Sequence, residues 1–290
     1  MTFTVQTYKG SDGQVLRYGK LVDSASQAST PLVYVPGLGG SVKGALHFLE
    51  ALLPVYGPIY GVDLRGFGLN SEDITPGDAQ QTLADLTCFL DEVMGEDSPP
   101  AALAGISLGA AFSVQLAIKY PERFRSLCLF APAFKPSKKS FSPGYTWKNI
   151  LGRVFLGERY KTPLPYDITS ITRNPEVLAD PQYFGEKPLQ LTADYLLDVD
   201  RLCRHSLTLM QQISMSTLMV IPGADLVCDP EAMRQGYQSI PAGTPKQCKE
   251  FEVLYHDVLL EPEWSEVADL VKTWAVEPLT ESSSRPLRVE

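Results

Sequence analysis

The stretch Gly105-Ile106-Ser107-Leu108-Gly109 sets a serine between two glycines. An apolar run, Ala101 to Ala104, precedes it, and a helix-like stretch, Ala110 to Lys119, follows. A chain that turns abruptly from strand to helix there leaves its serine strained, with backbone close on both sides. Side chains at positions 105 and 109 would collide, and glycine fits both. The turn lifts the serine Oγ out of the sheet and aims a helix N-terminus at the same spot. Such a short pattern recurs by chance, so the other parts of a serine-based reaction must be sought elsewhere in the chain.

A serine hydroxyl is a poor nucleophile near neutral pH; it needs a base, and the base needs an orienting acid. The chain has three histidines. His47 falls in a helix and His205 in a long insertion, and both read as structural or surface residues. His256 follows the apolar run Phe251 to Tyr255, on the loop after what reads as the last strand, and is the candidate base. Asp225 stands just beyond the run Leu218 to Ile221 and is the favoured acid. Asp229 is the alternative, although its place beside Pro230 is also explained by helix capping. The oxyanion formed on attack needs two preorganised N–H donors. Leu108, next to the serine, is one candidate. Leu38 in Pro36-Gly37-Leu38-Gly39-Gly40 is the other, because Gly37 lets that loop turn its next N–H inward. The loop has neither GxxxxGK[ST] nor GxGxxG spacing, which disfavours phosphate binding.

These residues must be positioned by a larger frame. Segments 3–9 and 14–22 flank the turn signal Gly10-Ser11-Asp12-Gly13. Leu32 to Val35, Ile59 to Asp63, the run before Gly105, Ser126 to Phe130, Leu218 to Ile221 and Phe251 to Tyr255 read as strands. Helices are expected over Val42 to Leu53 and over 79–94, 110–119, 230–239 and 263–275. The alternation predicts a mostly parallel central sheet with helices on both faces, an α/β fold whose reactive crevice lies beyond the carboxyl ends of the strands. Residues 134–213 break the alternation and are expected to form a cap over a core made of 1–133 and 214–276. The tail 277–290 is expected to be disordered.

Composition bounds the function. The chain has 290 residues, 44% hydrophobic and 20% charged, enough for one sizeable domain with an insertion. A net charge of −9 argues against nucleic acid as a partner. Five scattered cysteines without CxxC spacing suggest free thiols in a reducing compartment, and the N-terminal segment lacks the signature of a signal peptide, so a cytoplasmic location is expected. The serine chemistry requires neither metal nor organic cofactor, and oligomeric state is left open.

The chain resembles the α/β-hydrolase superfamily at Val35 to Gly40, Asp63-Leu64-Arg65-Gly66-Phe67-Gly68, the Ser107 turn, Gly223-Ala224-Asp225 and Tyr255-His256-Asp257. Arg173-Asn174-Pro175-Glu176-Val177 with Asp180-Pro181 is similar to the cap of the monoacylglycerol lipase-like, or serine aminopeptidase (S33)-like, subgroup. The likeness runs from about residue 30 to 275. It departs at Pro36, where a histidine is common, and at Ile106, where lipases often carry histidine; neither position bears a catalytic group. The resemblance implies an ester hydrolase with a Ser107, Asp225, His256 triad, acting on a monoacylglycerol or lysophospholipid. Two rivals stand beside it. One is an amidase or aminopeptidase using the same triad, and the other is a non-catalytic receptor or scaffold.

In the insertion, Trp147, Ile150, Leu151, Val154 and Phe155 form a helical stripe. Trp147, Leu151 and Phe155 are candidate substrate contacts. Residues 138–161 hold six basic residues and one acid. The stripe therefore reads either as a side packed on the core or as a lid face that touches an anionic lipid surface.

Overall fold

The computed structural model describes residues 1–95, 98–139, 160–180 and 189–276, with Gly144, Lys148, Gly152, Val154, Phe155 and Gly157. Eight strands form one sheet: β1 (Thr2–Lys9), β2 (Val15–Val22), β3 (Leu32–Val35), β4 (Ile59–Gly61), β5 (Ala101–Ile106), β6 (Phe124–Phe130), β9 (Ser216–Pro222) and β10 (Lys246–Phe251). The order is β1-β2-β4-β3-β5-β6-β9-β10. From β4 to β10 every pairing is parallel, while β2 pairs antiparallel with both β1 and β4. The β1–β2 hairpin closes through the Gly10–Gly13 turn, where Gly13 has φ +79°.

The parallel strands alternate between two cores. Leu103 of β5, Leu127 and Leu129 of β6 and Met219 and Ile221 of β9 face one apolar cluster. Ala102, Ala104 and Ile106, Cys128 and Phe130, and Leu218 and Val220 face the other. Because each face is covered, these strands read as continuous apolar runs. On the first face lie α2 (Ala79–Phe89), α3 (Leu108–Lys119) and α6 (Pro230–Ser239), contributing Leu86, Phe112 and Met233. On the second lie α1 (Leu46–Leu52) and α7 (Trp264–Val276), contributing Phe48, Leu49, Val267 and Val271.

Three expected boundaries are corrected. The last strand is Lys246–Phe251, paired in register with Thr217–Pro222, and not Phe251 to Tyr255. It is an edge strand whose residues are half-buried or exposed, so it carries Lys246, Lys249 and Glu250 and lacks the apolar run that marks an interior strand. The first helix is confined to Leu46–Leu52 within the expected Val42 to Leu53. The helix expected over 79–94 is α-helical only to Phe89 and ends in a π turn, Leu90–Met94, closed by the Gly95 N–H on the Leu90 carbonyl at 3.1 Å.

Between neighbouring strands β6 and β9 the chain makes a long excursion. Its described part contains the antiparallel strand pair β7 (Lys161–Pro163) and β8 (Gln190–Thr192), the short helix α4 (Pro175–Ala179) and the long helix α5 (Ala193–Leu209). Helix α5 is docked on α3: Ser206 Oγ lies 3.0 Å from the Ala111 carbonyl and accepts from Gln115 Nε2 at 3.0 Å. Asp198 on α5 accepts the Ala79 N–H at 2.6 Å, satisfying the first turn of α2. The tail 277–290 lies outside the described residues.

Candidate active site

Ser107 occupies the one-residue junction between β5 and α3, with φ 54° and ψ −119°. A non-glycine residue pays about 1–3 kcal/mol to stay there. The neighbours hold it: the Ser107 N–H donates to the Phe130 carbonyl at 2.9 Å, and the Ser107 carbonyl accepts from Ala110, Ala111 and Ala133. Gly109 lies directly against the Val35 and Pro36 carbonyls, so that any Cβ would overlap them. Absence of a side chain at 109 is what lets α3 start beneath the loop after β3.

His256 and Asp225 arrive from two other loops. The Asp225 loop follows β9, and its Oδ1 accepts the N–H groups of Val227 at 2.7 Å and Cys228 at 2.9 Å. Its Oδ2 lies 2.8 Å from His256 Nδ1, and His256 Nε2 lies 2.8 Å from Ser107 Oγ. An ionised carboxylate can only accept, so the imidazole carries its proton on Nδ1 and offers Nε2 as acceptor to the serine hydroxyl. His256 and Asp225 are 6% and 4% exposed. Burial pulls the His256 pKa down, but the charge and hydrogen bond of Asp225, with Asp257 nearby, raise it above its ordinary value. Asp229 does not join this chain; it caps α6 by accepting the Glu231 N–H at 3.1 Å.

The loop after β3 completes the surroundings. Gly37 comes so close to the serine that an added Cβ would stand 3.1 Å from Ser107 Cβ. Among the described residues, neither the Leu38 N–H nor the Leu108 N–H is spent on an acceptor. Leu108 also opens α3, whose N-terminal dipole favours negative charge at the same place. Leu189 of the insertion lies over this loop, 3.1 Å from where a Cβ of Gly39 would be.

The remaining expected residues fall as follows. Trp147 and Leu151 lie outside the described residues. Phe155 lies in helical backbone and is 78% exposed. His47 is half-buried beside the second core, its Nε2 2.8 Å from the Leu259 carbonyl and its ring edge-on to Trp264. His205 stands exposed on α5 beside Thr208. Asp225, Cys228 and His256 bring three potential metal-ligand atoms within 4.8 Å. Two of the three are already paired with each other, and burial, with Asp225 nearby, pushes the Cys228 thiol well above its usual range. The set is therefore better suited to an acid–base pair than to a cation. A cavity of about 480 Å³ between the start of α2 and α5, lined by Gly77, Asp78, Tyr195 and Arg201, holds none of the three residues. Sequence reasoning did not foresee the packing of residues 171–174 against the His256 loop. Its one local signal is an acid, Glu261, directly after the apolar run Val258-Leu259-Leu260.

The sheet order, the strained serine junction and the two flanking loops define an α/β-hydrolase fold. The monoacylglycerol lipase of Paleococcus ferrophilus shares it, with a TM-score of 0.71 over 95% of this chain and 99% of that one at 19% identity. The sequence model described as serine aminopeptidase, S33, matches residues 26–263, and the chain belongs to that family. Two relatives are similar over shorter stretches. The dihydrolipoyllysine-residue acetyltransferase component of the acetoin cleaving system of Pseudomonas putida is 33% identical over 121 residues, 42% of this chain and 31% of that protein. The (lyso)-N-acylphosphatidylethanolamine lipase of Mus musculus is 34% identical over 106 residues, 36% of this chain and 30% of that protein. The chain thus spans about a third of the length of these curated relatives. Among the described residues no helix is long and apolar enough to cross a membrane.

Proposed function

We propose that the protein is a serine hydrolase of carboxylic esters, with Ser107 as nucleophile, His256 as general base and Asp225 as its orienting acid. The observation that carries this reading is the continuous pair of 2.8 Å contacts from Asp225 through His256 to Ser107. In the reaction, Ser107 Oγ attacks the ester carbonyl while His256 Nε2 takes its proton. The imidazolium so formed is stabilised by Asp225. The Leu38 and Leu108 N–H groups hold the oxyanion, and His256 returns the proton to the departing alcohol. Water, activated by the same imidazole, then releases the acid from the acyl-enzyme.

For the substrate, a monoacylglycerol or lysophospholipid is favoured. The lipase names of the Paleococcus and mouse proteins support this choice. The insertion 134–213 serves as a cap over a core of 1–133 and 214–276, and Leu189 above the Gly37 loop supports that division. Val154 and Phe155, exposed on helical backbone, support contact of the cap with a lipid surface. Free cysteines at all five positions support a cytoplasmic location.

The family's description favours one other reading, hydrolysis of an aminoacyl amide by the same three residues. A panel of monoacylglycerols, lysophospholipids, short nitrophenyl esters and aminoacyl amides, run beside Ser107→Ala, separates the two. Ester turnover that vanishes in the variant is expected. Turnover that survives in Ser107→Ala sinks the mechanism, and preference for aminoacyl amides sinks the ester reading.

A further inference from the structure

His256 sits on an irregular loop between the end of β10 at Phe251 and the start of α7 at Trp264. A base on such a loop keeps its geometry only if something outside the loop holds it. The backbone N–H groups of both residues flanking His256 are held. That of Asp257 donates to the Ile171 carbonyl at 2.9 Å, and that of Tyr255 donates to Glu261 Oε2 at 2.9 Å. Ile171 belongs to the excursion between β6 and β9, and so do the remaining partners of Glu261. The Thr172 hydroxyl lies 2.8 Å from Oε1, the Arg173 N–H donates to Oε1 at 2.6 Å, and Arg173 Nε donates to Oε2 at 2.8 Å. The far end of the guanidinium reaches Glu263 at 2.7 Å. The Glu261 side chain has no exposed surface, and its two oxygens accept all four of these hydrogen bonds.

We infer that Glu261, clasped by Thr172 and Arg173 of the insertion, is a positioning residue for His256. This rests on the reading of His256 as the general base. A fully buried carboxylate is costly unless its oxygens are satisfied, and here four donors satisfy two oxygens. The clasp joins two segments 88 residues apart in the chain, and its third party is the N–H of Tyr255, the residue before the base. The insertion therefore does more than cover the crevice. It sets the height and tilt of the imidazole over Ser107, and any movement of the cap must pivot outside residues 171–174 if His256 is to stay in place.

The test uses the full chain with Glu261→Gln, Arg173→Met and Arg173→Lys, assayed on a short soluble nitrophenyl ester at a temperature where each variant is folded by circular dichroism. Glutamine matches glutamate in shape but turns an NH2 group toward N–H donors, breaking part of the clasp. Glu261→Gln and Arg173→Met are expected to lower kcat about 100-fold with KM nearly unchanged, the cost typical of a misplaced catalytic group. Arg173→Lys, which keeps the charge and one donor, is expected to recover much of that loss. If Glu261→Gln and Arg173→Met lower only the melting temperature and leave kcat intact, the clasp is structural and the inference is overturned. A second readout is independent of turnover: the downfield proton resonance of the His256 Nδ1–H to Asp225 bond. It is expected to move or broaden in Glu261→Gln, and an unchanged resonance overturns the inference as well. A parent chain with no Ser107-dependent turnover would instead count against the hydrolase reading, leaving the resonance to decide the positioning role.

Discussion

Gly37 faces Ser107 across the candidate oxyanion site at close range: an added Cβ would stand 3.1 Å from Ser107 Cβ and 3.4 Å from the Ile106 carbonyl, tight enough to push the two apart. The loop after β3 and the serine junction are thus fitted to each other. Both proposed oxyanion donors flank this contact, Leu38 on one side and Leu108 on the other.

Widening that contact should misalign the donors. Gly37→Ala is expected to lower kcat on a nitrophenyl ester about 100-fold, the cost of losing one oxyanion donor, with little change in thermal stability. Gly109→Ala, whose methyl meets the Val35 and Pro36 carbonyls, is expected to destabilise the fold by about 1–3 kcal/mol in urea melts as well. Full activity in Gly37→Ala would show that the loop does not supply a donor.

The strain at Ser107 should be measurable as stability. Its φ of 54° with ψ of −119° suits glycine and no other residue. Ser107→Gly is therefore expected to be more stable than Ser107→Ala by about 1–2 kcal/mol in denaturant, while both lack ester turnover. Equal midpoints for the two variants would mean that the junction stores no strain.

Acid should switch the base off. His256 must be neutral to accept the serine proton, and its pKa is raised because Asp225 outweighs burial. The kcat/KM profile is expected to fall as pH drops through a value above the ordinary histidine range near pH 6.5. Asp225→Asn is expected to lose activity by about 10⁴-fold because the tautomer is no longer enforced. A profile flat through that region would remove His256 from the proton transfer.

A second carboxylate should make stability itself pH-dependent. Asp63 accepts the Val42 N–H at 2.6 Å and the Leu69 N–H at 2.8 Å, tying the loop after β3 to the turn after β4. Burial, only partly offset by those two bonds, pushes its pKa up to about 7. A carboxyl raised in the folded state binds its proton more tightly there than when unfolded. Its contribution is complete below the ordinary carboxylate range and is lost as pH rises through about 7. Urea midpoints of the parent should therefore fall between about pH 4 and about pH 7 and level off above it, and those of Asp63→Asn should fall less. Parallel slopes would show that Asp63 stays ionised throughout.

The sequence by itself determined what depends on a few adjacent residues. Glycines on both sides of Ser107, the alternating apolar runs and the turn at Gly10 to Gly13 are local, because sterics and periodicity act over short stretches of chain. The order of Ser107, Asp225 and His256 along the chain could be read in the same way. Tertiary structure decided what depends on pairing. It placed the last strand at Lys246–Phe251, since an edge strand with charged residues carries no apolar signature. It set Asp225, the acid favoured by its place just beyond the strand, against His256 and left Asp229 to cap α6. It also joined Arg173 to Glu261 across 88 residues, and brought His256 to Ser107 across 149. Such contacts arise only when separate loops are packed together at the carboxyl ends of the strands, and no spacing along the chain records them.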